Sequence, residues 1–146
     1  MPAGFGPIGF ASFAGVKFAG YTAYSAWINQ RLKKQNPADE PPVAWKGGLA
    51  RTAIGVAVGV VFGLGFWRMA DGVPMIDRYG GWFFGGGLVI LRVAEWLFFS
   101  WLIYRRFQLG RLGRETLVGL GVLTSFALDA IGIFTALVAP GGAWIC

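Results

Sequence analysis

The chain contains no histidine. That excludes His-ligated haem, His-ligated metal centres and any Ser-His-Asp or Cys-His catalytic unit. It also removes the usual side chain titrating near neutral pH. A single cysteine, Cys146, leaves no internal disulfide and no thiol cluster for zinc or iron–sulfur. Charge is scarce as well: 14% of the 146 residues carry one, against about 25% in an average soluble domain, so the chain falls outside that class. There is no phosphate-binding loop, because Gly85-Gly86-Gly87 is not followed by Lys-Ser/Thr. Strand alternation is missing, and so is any internal repeat of about 20 to 50 residues.

What is abundant is apolar. Hydrophobic residues make up 55% of the chain, with 24 glycines, 13 phenylalanines and 7 tryptophans. Four runs are long enough for helices that cross a hydrocarbon layer, which takes ~20 residues each. They cover about 5–29, 47–67, 81–103 and 116–139. Backbone groups in lipid must be satisfied within their own element, which favours helices. The expected fold is therefore an all-α integral membrane protein: one domain, residues 1–146, with four transmembrane helices in an antiparallel bundle. The first run is too long for a signal-peptide core and lacks a basic start, so it reads as a retained helix. Between the runs, Pro37, Pro41 and Pro42 predict a loop over 30–46. Asp71-Gly72, Pro74 and Asp77 predict turns over 68–80, and Pro140-Gly141-Gly142 ends the fourth run.

Basic residues set the expected orientation. Arg31, Lys33, Lys34, Lys46, Arg51, Arg105, Arg106, Arg111 and Arg114 fall on the first and third connections, only Arg68 and Arg78 on the second, and none at the termini. Basic loops stay cytoplasmic. The first and third loops are thus expected in the cytoplasm of a bacterial inner-membrane protein, with both termini periplasmic. The net charge of +6 is explained by this bracketing and by contact with anionic lipid, not by nucleic acid. Trp27, Trp45, Trp67, Trp82, Trp101, Tyr104 and Trp144 lie near span ends, as an interfacial aromatic belt requires. Trp96 alone is deep.

Small residues mark candidate packing surfaces. Ala11, Gly15, Ala19 and Ala23 recur four apart in the first run, and Gly55, Gly59 and Gly63 form a double GxxxG in the second. Such stripes let helix backbones approach closely in lipid. Lys17 and Tyr21 lie on the opposite face of the first run.

The least expected residues are Lys17, Arg92, Glu95 and Asp129, charged and inside apolar runs. At ~1.5 Å per residue from the inner ends of their spans, they lie roughly 18, 16, 12 and 20 Å deep. One layer near the midplane accommodates all four. Each costs roughly 2.5–3.5 kcal/mol at a helix centre, so mutual pairing is expected. The predicted unit is a charge-balanced buried network of these four, with Tyr21, Tyr24, Thr124 and Ser125 as hydrogen-bond donors. Balanced, paired charges hold their protonation state, which favours a clamp over proton traffic.

The functional expectation is accordingly a small accessory or scaffold subunit, packing by its glycine stripes and charge network within a larger membrane complex or oligomer. The alternative is a small oligomeric transporter or channel that couples ions or protons through the Lys17/Arg92/Glu95/Asp129 layer. No catalytic site and no metal are expected, since the carboxylates have basic partners and no activated nucleophile is recognisable. Membrane lipid is the expected bound molecule, and other membrane subunits or further copies of the chain are the expected partners.

Overall fold

A computed structural model describes residues 4–38, 40–70, 74–105, 107, 113–138 and 143–144. Asp71-Gly72, Arg106, Arg111, Pro140-Gly141-Gly142 and Cys146 lie outside the described residues, as do the side chains of Trp67, Asp77, Arg78 and Trp144. The described chain is helical, with elements β1 (Gly4–Phe5), α1 (Pro7–Gln35), α2 (Ala44–Ala70), α3 (Pro74–Tyr104), α4 (Arg114–Val138) and β2 (Ala143–Trp144). The two short strands pair antiparallel, Gly4 with Trp144 and Phe5 with Ala143, and so join the two ends of the chain. This pair has no counterpart in the sequence pattern, which shows no strand signal.

Three helices carry stretches long and apolar enough to cross a membrane: Ala44–Gly65, Phe84–Tyr104 and Arg114–Val138. The helix α1 has 29 residues, ample length at ~1.5 Å each, but it is more polar, with Lys17 within it and Lys33 and Lys34 in its last turn.

Three of the expected helix ends are corrected. The helix α1 runs to Gln35 instead of ending near Asn29. The segment Gln30–Gln35 is rich in residues that favour helix, and Leu32 within it is fully buried. Only at Asn36, before Pro37, does the chain turn extended. The helix α2 begins at Ala44, directly after Pro41 and Pro42, where Asn29 Nδ2 donates a 2.6 Å hydrogen bond to the Pro42 carbonyl. The helix α3 begins at Pro74, so the proline expected in a turn occupies a first helical position, where its missing N–H costs nothing.

The helices form a ring. The helix α1 packs on α2 and α4, and α3 closes the circle through contacts with both of these. The half of the bundle nearest the α1–α2 loop is solid, filled by Tyr21, Ile28, Leu32, Trp96, Phe99, Tyr104, Leu117 and Val118. Glycines allow the close approaches. A Cβ at Gly48 would stand 2.8 Å from the Thr22 backbone nitrogen, and one at Gly121 would stand 2.5 Å from the Trp96 ring. Polarity is inverted relative to a water-soluble bundle. Ile90 and Val61 are more than two-thirds exposed while Arg51 is fully buried, an arrangement suited to a lipid surround.

Candidate functional site: a charged layer beneath an apolar cavity

Every helix sends a polar side chain to one level of the bundle. From α1 come Lys17 and Tyr21, from α2 Arg51, from α3 Arg92, Glu95 and Trp96, and from α4 Ser125 and Asp129. Arg92 and Glu95 are one turn apart and meet directly, Nη1 to Oε2 at 2.8 Å. Arg92 also reaches across to α4, Nη2 to Asp129 Oδ2 at 3.0 Å. The other oxygen of Asp129 pairs with the Lys17 ammonium, which also lies 4.4 Å from the centre of the Phe13 ring. The four residues singled out by depth are therefore in contact.

The structure adds a fifth charge. Arg51 is fully buried, and its Nη2 donates to Glu95 Oε2 at 2.6 Å and to Ser125 Oγ at 3.4 Å. Its guanidinium stacks near Trp96 and Tyr21, 4.8 and 5.0 Å from the ring centres. A second span starting at Gly47 puts Arg51 with the basic residues of the first connection. With α2 beginning at Ala44, Arg51 lies two turns inside the helix. It is an isolated charge in an otherwise apolar run, and that isolation was the available signal.

Arg51 overturns the expected charge balance. Among the described residues, Lys17, Arg51 and Arg92 face only Glu95 and Asp129. Three cations against two anions leave one positive charge in excess, so the expected balance does not hold. Arg51 Nε, Arg51 Nη1 and Arg92 Nε have no hydrogen-bond partner among the described residues, against two carboxylate oxygens, Glu95 Oε1 and Asp129 Oδ1, of which the second is ion-paired with Lys17.

The four expected donors divide. Tyr21 donates to Ser125 Oγ at 3.1 Å, and Ser125 also receives the Trp96 indole N–H at 2.8 Å, so both residues belong to the network. Tyr24 does not. It lies about one turn away from the layer and donates to the Leu117 carbonyl. Thr124 bonds the Leu120 carbonyl of its own helix, because a step of one residue rotates it ~100° away from Ser125.

The small residues divide as well. Gly55 is inside, where a Cβ would come within 3.2 Å of Arg51 Nη1. Ala11, Gly15, Ala19 and Ala23 are exposed, and Gly15, Gly59 and Gly63 would each place a Cβ in open space. The bundle's own close contacts use Gly20, Gly47, Gly48, Gly87, Gly121 and Gly132 instead.

Beyond the charged layer, toward the end of the bundle where β1 and β2 pair, the helices part around an open-sided cavity of about 470 Å³, its apolar wall residues partly exposed. Lys17, Arg92 and Asp129 form its polar floor. Phe10, Val60, Phe84 and Ile133, one from each helix, stand on its apolar walls. Among the described residues no three His, Cys, Asp or Glu side chains gather as a metal-holding set. No protein family, curated protein or solved structure matches the chain.

Proposed function

We propose that this chain is a four-span protein of a bacterial inner membrane, with its first and third loops cytoplasmic and both termini periplasmic. In this reading α1 is the fourth span. Eight basic residues on the α1–α2 and α3–α4 side, after Arg51 is removed from the nine, against two on the other side support the orientation. Its work is that of an accessory or scaffold subunit docking laterally on a neighbouring membrane helix.

The observation that carries the docking reading is the division of small residues. Among the described glycines, Gly20, Gly47, Gly48, Gly121 and Gly132 serve close contacts inside the bundle, whereas Gly15, in line with the exposed Ala11, Ala19 and Ala23 of α1, and Gly63 of α2 would place a Cβ in open space. A glycine inside a helix costs about 1 kcal/mol relative to alanine, and against fluid lipid chains it gains nothing in return. Against another helix it permits close backbone approach. The charge network then acts as the clamp that fixes the register of four helices, so that this outward face is held rigid.

A photo-reactive residue at Ala19 tests the reading in the native membrane. A crosslink to a distinct membrane polypeptide or to a second copy is expected, and capture of lipid alone would remove the docking role. A transport reading, with the charged layer as a coupling site in an oligomer, is favoured by the cavity that reaches Lys17, Arg92 and Asp129. Asp129→Asn separates the two: lost flux with intact assembly favours transport, and lost assembly favours the subunit.

A further inference from the structure

We propose that the cavity above the charged layer is a binding site for an amphiphilic monocarboxylate, a single carboxylate on a short apolar body. Three observations converge on it. First, the layer holds one more cation than anion, and an excess charge at that depth is costly unless a counter-ion joins it. Second, the donors without partners lie beside the floor. Arg92, which lines the cavity, has an unpartnered Nε, and the unpartnered Nη1 of Arg51 lies next to cavity-lining Gly55; both atoms are buried just behind the floor, where an anion resting on it supplies the missing negative charge. Third, the size and lining suit a small organic molecule. About 470 Å³ falls within the ~300–1,000 Å³ typical of ligand pockets, whose mostly apolar walls carry a few convergent polar groups.

These features restrict the chemistry. A dianion would overcharge a floor whose excess is one. The carboxylates already present do not repel a single incoming charge decisively, because Asp129 is taken up by Lys17 and Arg92, and Glu95 by both arginines. A diacyl phospholipid is excluded by position: from Phe10 to Lys17 is seven residues, so the floor lies ~10 Å below the cavity's rim, while phospholipid headgroups stay at the interface. A cation meets three positive side chains. A neutral apolar molecule fills the walls and leaves the floor uncompensated.

The test uses the intact protein in nanodiscs and carbon-labelled hexanoate, with hexanol and hexylammonium as neutral and cationic molecules of equal length. Saturable binding of one hexanoate per chain is expected, with neither analogue displacing it at equal concentration. Lys17→Met removes the excess charge and weakens binding by about ten- to hundredfold, the range for a lost charge-assisted contact. Gly59→Leu places a side chain into the cavity from a position where nothing lies within 4 Å of the new Cβ. It abolishes binding while circular dichroism stays as in the parent protein and thermal unfolding is no lower, since a helical glycine has been replaced. Equal displacement by hexanol, or undiminished binding in Gly59→Leu, overturns the proposal. A crosslink from a photo-reactive residue at Val60 to a second polypeptide also overturns it, and gives the cavity to a partner helix's carboxylate.

Discussion

Glu95 has the most demanding position of any single residue. One of its oxygens, Oε2, receives both Arg51 and Arg92, at 2.6 and 2.8 Å. Glu95→Gln keeps the shape and removes the charge, leaving the buried Arg51 guanidinium without a counter-ion and Arg92 with Asp129 alone. Breaking a buried pair from one side costs about 3–5 kcal/mol, and that loss is expected in unfolding measured in detergent. Lys17→Met should cost clearly less, because Asp129 keeps its bond to Arg92 Nη2. Equal losses in the two variants would contradict this ordering. Lys17, Arg92, Glu95 and Asp129 were legible because a charge in an apolar run is conspicuous and helix rise converts its position to depth. Arg51 was hidden by an error of three residues in a helix start. Tyr24 and Thr124 show the reverse: depth alone brought them near the layer, while the direction of the side chain took them away from it.

Helix by helix, what could be read depended on what ends each element. Apolar length located all four helices, but lysine, glutamine and proline at the boundaries misled, since Gln30–Gln35 extends α1 and Pro74 opens α3. Glycine patterns were legible as packing signals, but not as to which partner each serves. That depends on how the helices are rotated, which no single helix encodes. The distinction is measurable. Gly48→Ala pushes a methyl group into the Thr22 backbone at 2.8 Å, and with no flexible side chain to yield, a loss of about 1–3 kcal/mol is expected. Gly63→Ala meets nothing and should gain up to about 1 kcal/mol from helix propensity. Thermal unfolding of the two variants side by side decides whether the assignment of inner and outer glycines holds.

For the whole molecule, the inverted arrangement of charge and apolar surface is the dominant fact. Arg51 and Arg92 are buried while Ile90, Val61, Phe134 and Leu123 face outward. The solid half and the hollow half of the bundle lie on opposite sides of the charged layer, so stability and any ligand occupy different ends. The proposed topology predicts a labelling pattern with impermeant thiol reagents in a Cys146→Ser background. Ile8→Cys should react in intact cells, and Lys34→Cys only in inverted vesicles. Reaction of both from the same side would show that α1 does not cross the membrane.

The distribution of the five charges along the chain also bears on how the protein is made. Residues 1–72 carry Lys17 and Arg51 and no anion of the network, a contribution of +2, while residues 73–146 carry Arg92, Glu95 and Asp129, a contribution of −1. A ribosome delivers the first pair of helices before any counter-ion exists for them. The early hairpin must therefore wait, at the insertion machinery or at the membrane surface, until the later one arrives. Expressed alone, residues 1–72 should be degraded quickly. Co-expression with residues 73–146 should rescue them, and the same partner bearing Glu95→Gln should not, with pulse-chase half-lives as the readout.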